Sequence, residues 1–219
     1  MQEHFAILGA CPLFAGIETS ELSALLDCLE AKTVRAEKNG VILLEGDPAQ
    51  YIGVVLTGGV QVVRVDYYGN RSILARLAPG ELFGESFACA GVPVLPVSVI
   101  AAADSAVLLL DCRRITAPCS RVCAFHSRLI FNLLQVVARK NLAFHQRLEI
   151  TSRRTTREKL MAYLLAQAKQ AGADHFTIPY DRQELADYLG VDRSGLSAEL
   201  GKLRREGVLR CRKNEFTLL

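Results

Sequence analysis

Several things are missing from this sequence, and each absence closes a class of protein. No apolar run is long enough to cross a bilayer: the stretch 101–110 is already broken by Asp104, whereas a spanning helix needs ~20 residues. No basic segment followed by an apolar one stands at the amino terminus, so the expected location is the cytoplasm. No long low-complexity tract occurs. With 50% hydrophobic and 22% charged residues, the chain can bury a core and does not read as disordered. No Cys-x-x-Cys pair is present. The seven cysteines, at 11, 28, 89, 112, 119, 123 and 211, are odd in number and scattered, unlike a secreted disulfide framework. They are expected to be free thiols, several of them buried as small hydrophobes. No carboxylate pairs with a nucleophile, a metal cluster or a Gly-rich phosphate loop. A catalytic reading would rest on Glu81 and Glu85 alone, two glutamates four apart on a turn, so no enzyme is expected. Finally, no Lys or Arg occurs between Arg76 and Arg113.

What is present divides into three parts. The 219 residues suit one large or two ordinary domains. The first 149 residues hold 13 basic against 14 acidic side chains, a net −1, and the last 70 hold 13 against 9, a net +4. The basic third hints at a polyanionic partner. Residues 1–30 read as short helices, one of them capped by Thr19 or Ser20 and carrying Leu22, Leu25, Leu26 and Leu29 on one face. Across residues 31–115, short Val/Ile/Leu runs alternate with Gly, Asp, Asn and Pro. That grammar predicts antiparallel strands in a sandwich or roll, with hairpins at Gly58-Gly59 and Tyr68-Gly69-Asn70.

Residues 118–148 change to a helical period. Ile130, Leu134, Val137, Asn141, Phe144 and Leu148 form a heptad seam with one polar member, and a parallel contact between two subunits is expected there. The alternative is a helix packed on its own domain. Thr155-x-x-Glu158 has capping-box spacing, and Gly172 is a plausible stop for the helix that follows. The Arg- and Thr-rich segment 151–156 reads as an inter-domain hinge.

In the last third, Asp181 and Glu184 start a helix, Gly190 turns the chain, Asp192 starts a second helix and Gly207 ends it. Two short helices joined by such a turn make a helix-turn-helix. At 100° per residue, Leu196, Leu200 and Leu203 face inward. Ser194, Ala198, Gly201 and Arg205 face outward with Ser197 on the flank, rimmed by Arg193, Lys202 and Arg204. A small, polar, basic face of this kind can enter a DNA major groove. The following segment "VLRCRKNEFTLL" reads as a hairpin wing carrying Arg210, Arg212 and Lys213. Arg182 and Gln183, opening the first helix, complete the candidate DNA-contact set.

The whole chain, in this order, resembles the CRP/FNR family of bacterial transcription regulators. "GELFGE" (residues 80–85) is similar to the opening of the family's phosphate-binding cassette. "DRQELADYLGVDRSGLSAELGKLRREG" is similar to its helix-turn-helix. The resemblance implies an α+β chain. Its parts would be a cyclic-nucleotide-binding-like β-roll or jelly roll (1–117), a dimerisation helix (118–149) and a winged helix-turn-helix (150–219). It implies a homodimer on a pseudo-palindromic double-stranded operator, with RNA polymerase as a further partner that such a role admits. It places Arg193, Ser194, Ser197 and Ala198 in the base-reading region. Members that sense cyclic AMP or oxygen carry Glu in place of Ser194 and Arg in place of Ala198, so neither consensus operator is expected.

Cyclic AMP binders also carry an Arg-Ser or Arg-Thr pair after the cassette helix. Here that stretch is Leu95-Pro96-Val97-Ser98. A buried phosphate without a cation would be costly, and Gln135-Val136 replaces a Thr-Ser pair of the long helix. An unidentified small effector, apolar or weakly polar, is therefore expected near Gly80, Glu81, Leu82, Phe83, Gly84, Glu85, Val97, Ser98, Leu133 and Val137. No cofactor is assigned. Alternatives stay open: a cyclic nucleotide, a cassette that is only a structural corner, or a thiol switch at Cys119 and Cys123. An iron–sulfur cluster lacks its N-terminal thiolates, and a haem ligand would have to come from Cys89, His126 or His145. A ligand-binding module whose basic domain contacts protein instead of DNA is the remote reading.

Overall fold

The computed structural model describes residues 4–65, 67–68, 71–116 and 124–219. The chain forms two compact units, residues 1–139 and 140–219.

The first unit opens with α1 (Phe5–Ala10), a single turn of tighter helix at Pro12–Phe14, and α2 (Thr19–Cys28). The cap of α2 is Glu18, one residue before the expected Thr19 or Ser20. Its backbone N–H is taken by the Glu21 carboxylate at 3.1 Å, so a carboxylate three residues on decides the start. The four leucines expected on one face of α2 are all buried.

Eight strands follow: β1 (Lys32–Ala36), β2 (Val41–Leu43), β3 (Tyr51–Thr57), β4 (Val60–Val65), β5 (Arg71–Leu77), β6 (Leu82–Phe83), β7 (Ser98–Ala101) and β8 (Ser105–Asp111). They build two four-stranded antiparallel sheets, in the orders β1-β8-β3-β6 and β2-β7-β4-β5. One short helix interrupts them, α3 (Glu85–Cys89) between β6 and β7, and a second, α4 (Cys112–Thr116), follows β8.

Strands β3 and β8 are covered on both faces, which is why they read as continuous apolar runs. Ile52, Val54, Leu56, Leu108 and Leu110 face the helices, while Val55, Val107 and Leu109 face the second sheet. This alternation is the period of two of a strand, applied to a strand with two cores.

Two of the expected hairpins fare differently. Strands β4 and β5 pair antiparallel as expected, with Gly69 and Asn70 of their connection outside the described residues. The Gly58-Gly59 turn is not a hairpin. It carries the chain from β3 in one sheet to β4 in the other. The reason is a contact distant in sequence: Gly58 has φ +74°, and a Cβ there would collide with the Asp104 carbonyl oxygen. The Ser105 hydroxyl accepts the Gly59 N–H at 3.0 Å and donates toward the Gly59 carbonyl at 2.8 Å. The turn is therefore pinned to the start of β8 and cannot close a ladder.

The long helix α5 runs from Ala124 to Thr151. The expected start near residue 118 and the Cys119–Cys123 pair lie outside the described residues. Its inner face holds Leu129, Leu133 and Val136 against the first core. One buried polar residue on this helix is Asn132, whose amide donates to the carbonyls of Leu13 at 2.9 Å and Ala15 at 2.8 Å. The expected heptad polar residue, Asn141, is exposed.

The second unit contains the last turns of α5, then α6 (Thr156–Ala171), β9 (His175–Thr177), α7 (Arg182–Leu189), α8 (Arg193–Arg205), β10 (Leu209–Arg212) and β11 (Glu215–Leu218). The three strands form a sheet in the order β10-β11-β9. The Thr155–Glu158 capping box is formed, and Gly172 closes α6 at φ +64°. Leu185, Leu189, Leu196, Leu200, Leu203 and Phe216 fill the core of this unit, joined by Ile150 from α5.

One packing contact is tight enough to test. A Cβ added at Gly53 would overlap Cζ of Phe83, whose ring fills the space above the glycine. Gly53→Ala is therefore expected to destabilise the protein by about 1–3 kcal/mol, read as a lower urea midpoint, with part of the deficit recovered by adding Phe83→Leu. A Gly53→Ala protein as stable as the parent would mean that Phe83 does not occupy that space.

Candidate nucleic-acid interface and effector cassette

The C-terminal unit positions its basic face through capping. The Asp181 carboxylate accepts the N–H of Glu184 at 2.8 Å, and Glu184 reaches back to the Asp181 N–H at 2.9 Å. Gly190, at φ +61°, ends α7 in a left-handed turn that only glycine adopts cheaply. Asp192 then starts α8, accepting the N–H groups of Ser194 at 2.9 Å and Gly195 at 3.1 Å. A bond from the Ser194 hydroxyl, with these two backbone bonds, holds the Asp192 carboxyl below its usual range. The Ser194 hydroxyl thus gives its proton to its own cap; it remains free to accept from a base, and only donating to one would require it to exchange partners.

The inward leucines of α8 are buried as expected, and Arg193, Ser194, Ser197, Ala198, Lys202, Arg204 and Arg205 are exposed, with Gly201 half-buried. Lys202 pairs with Glu199 at 3.2 Å. The C-terminal end of α8 is held by Arg157 of α6, which meets the two oxygens of Glu206 at 3.0 and 2.6 Å. That fork keeps the Glu206 carboxyl low. The wing turns at Lys213, which has φ +51°, and the Asn214 amide donates to the Ile178 carbonyl at 3.1 Å. Arg182 lies with its guanidinium carbon 5.1 Å from the centre of the Phe216 ring. Gln183 donates to Asp187 at 2.9 Å.

Two features here were not foreseen from the sequence. Strand β9 pairs with β11, with Phe176 opposite Phe216; its three residues are too short to show alternation. Arg147, near the end of α5, donates to the Tyr188 carbonyl at 3.3 Å and lies 4.9 Å over the Tyr188 ring. Tyr188 stacks on Tyr180 at 5.0 Å and meets Tyr163 at 5.2 Å. Burial pushes all three phenols up.

In the first unit, the cassette runs from Gly80 through α3. Gly84 has φ +78°, and a Cβ there would lie 2.6 Å from the Tyr51 carbonyl oxygen, so the "GE" step at 84–85 needs its glycine. Gly80 is also left-handed, at φ +88°. Glu81 is exposed and its carboxylate accepts the Ala78 N–H at 2.6 Å. Leu82 and Phe83 are buried, Leu82 toward the helices and Phe83 between the sheets. Glu85 is buried, with one oxygen accepting from the Ser86 hydroxyl at 3.0 Å.

The second half of the stretch is apolar. Leu95, Val97 and Val99 are buried, and the Ser98 hydroxyl accepts the Glu45 N–H at 2.9 Å. On α5, Leu133 is buried and Val137 partly so, both at the first core.

Buried His126 is bonded from Nε2 to the Arg114 carbonyl at 3.2 Å, which staples α4 to α5. Among the described residues, no three His, Cys, Asp or Glu side chains cluster as metal ligands, and no helix is long and apolar enough to cross a membrane.

Residues 33–120 match the family model described as a cyclic nucleotide-binding domain, and residues 158–219 match the Crp-like helix-turn-helix domain. The chain is 29% identical over 199 residues to the Cyclic AMP receptor protein of Thermus thermophilus, covering 91% of this chain and 88% of that protein. It is 24% identical over 215 residues to the transcriptional activator protein FnrL of Cereibacter sphaeroides, covering 92% and 83%. Its fold resembles that of FixK2 from Bradyrhizobium japonicum, with a TM-score of 0.52 at 24% identity over 86% of this chain and 92% of that one. A roll, a long helix and a capped helix-turn-helix with a wing, matched in order by both domain models, place this chain in the CRP/FNR family of DNA-binding transcription regulators.

Proposed function

We propose that this regulator acts as a homodimer, paired along α5, whose DNA affinity is set by a small effector that is not a cyclic nucleotide. The observation that carries the dimer is the outer face of α5. Ile130, Leu134, Phe144 and Leu148 of the heptad seam are 40%, 64%, 64% and 52% exposed. Phe131 and Leu142, outside the seam, are exposed as well. A line of large apolar side chains on one helix face is costly in water and suits a second copy of the same helix.

With a two-fold dimer, each α8 would meet one half-site, the two centres ~10 bp apart. Arg193 and Arg205 at the ends of α8, with Lys213 on the wing, supply cations for phosphate or guanine. Arg182, Gln183, Ser194, Ser197, Ala198, Gly201, Lys202 and Arg204 complete the contact face. In the cassette, the absence of any Lys or Arg between Arg76 and Arg113 supports the non-nucleotide effector. So does the commitment of Ser98 to the Glu45 N–H. A buried phosphate would meet Leu95 and Val97 where it needs charge. Binding would shift the population of α5 packing states and so the DNA affinity.

A cyclic nucleotide is the second reading. The domain match and the Thermus relative favour it.

Arg193→Ala and Arg205→Ala are each expected to weaken binding to the DNA upstream of the protein's own operon about tenfold or more. Where the arginine holds a phosphate, its removal should also reduce the salt slope by ~1. Anisotropy titrations at two salt concentrations measure both, and unchanged binding would assign the basic face to another partner. Leu134→Glu with Phe144→Glu should convert a dimer to a folded monomer in sedimentation, since both side chains are exposed in the single chain. A parent protein that sediments as a monomer ends the dimer reading. Cyclic AMP should leave the DNA affinity unchanged; a shift of about tenfold would install the second reading.

A further inference from the structure

Cys89 ends α3 and Cys112 opens α4, with β7 and β8 between them. Their sulfur atoms are 3.9 Å apart. Cys89 is exposed, whereas Cys112 is 6% exposed, its backbone N–H held by the Gln50 carbonyl at 2.9 Å. A cavity of about 380 Å³ opens beside both sulfurs, bounded by Gln50, Val92, Pro93 and Arg113. Two thiols in contact, one of them reachable from solvent through a cavity, are the arrangement that thiol–disulfide exchange requires.

We propose that Cys89 and Cys112 form a dithiol that is oxidised to a disulfide by a low-molecular-weight disulfide, joining the cassette helix α3 to α4. The exposed Cys89 gives up its proton, and its thiolate attacks one sulfur of the small disulfide. That S–S bond breaks, one small thiolate leaves, and a mixed disulfide remains on Cys89. Cys112, deprotonated in turn, attacks the Cys89 sulfur, forms the protein disulfide and expels the second small thiolate. Two electrons pass from the protein thiols to the small disulfide, which becomes two thiols and takes up the two protons. A disulfide bond is about 2.05 Å long, so the sulfurs must close by about 1.9 Å. The end of α3 can supply this motion, because Cys89, Ala90 and Gly91 are all exposed.

The rate should be strongly pH-dependent. Although Cys89 is exposed as a residue, partial desolvation of its sulfur, with a smaller effect of the Cys112 neighbour, pushes its thiol up to about 12, and burial raises Cys112 as well. The attacking thiolate is scarce at neutral pH, and its fraction grows about tenfold per pH unit below the pKa.

The sequence itself supplies the assay. The tryptic peptide 77–113 has no internal Lys or Arg and contains no cysteine but Cys89 and Cys112. The reduced full-length protein is incubated with oxidised glutathione in excess over reduced, quenched with acid, alkylated, digested and weighed. Peptide 77–113 is expected to emerge unalkylated and lighter by two hydrogens, about tenfold faster for each unit between pH ~7 and ~9. Cys112→Ser should instead trap glutathione on Cys89. A parent peptide that carries two alkyl groups, or glutathione without the internal bond, overturns the proposal.

Discussion

A helix of 28 residues, about 42 Å long, presents apolar side chains on more of its circumference than one small roll can cover. The rest of this molecule is arranged around that constraint. Leu129, Leu133 and Val136 bind one face of α5 to the first core, and the two bonds from Asn132 fix its register against the Pro12–Phe14 turn. Toward its other end, Ile150 enters the second core, and Arg147 sits on Tyr188 next to the helix-turn-helix. One continuous element therefore contributes side chains to the packing beside the cassette and to the packing behind the basic face. Its remaining apolar face is left over once both of those demands are met.

In the cassette, what the backbone requires can be separated from what the side chains do. The backbone of the corner is held by conformations that only glycine adopts cheaply, at Gly80 and Gly84, and by the close approach of Gly84 to the Tyr51 carbonyl. None of these requirements depends on a ligand. The side chains around the corner have been put to other uses: Phe83 fills the space above Gly53, Leu95 packs between the sheets, and Ser98 satisfies the Glu45 backbone. The corner's shape is thus fixed by its backbone, while no Lys or Arg stands between Arg76 and Arg113.

The parts of this architecture that sequence reasoning reached are those in which cause and effect lie within a few residues. The caps at Thr155, Asp181 and Asp192, the stops at Gly172 and Gly190, and the inward leucines of α8 all follow from spacings of three or four. So does the helical period of α5, whereas the burial of Asn132 against the Pro12–Phe14 turn depends on residues more than a hundred positions away. The failures were of another kind. Gly58-Gly59 has the composition of a hairpin and serves as a crossover, because Ser105, 46 residues away, captures the turn. Strand β9 is too short to announce itself and exists because β11 offers an edge for it to pair with. Among the described cysteines, Cys89 and Cys112 meet although they are 23 residues apart, a separation that no local spacing announces.

By itself, then, the sequence determined the kinds of element, their order, the faces they turn inward and the charge each region carries, including the uncharged second half of the cassette. These depend on periodicity, capping and composition, which act locally. Only the tertiary structure decided which inward-facing residues meet. A period of two says that Val54 and Val55 point opposite ways, but not that one faces helices and the other a second sheet. The meetings of Phe83 with Gly53, Ser98 with Glu45 and Cys89 with Cys112 are set by how two sheets and their helices close on each other. That closure depends on the volume and hydrogen-bond needs of the whole unit at once, and no window of neighbouring residues contains it.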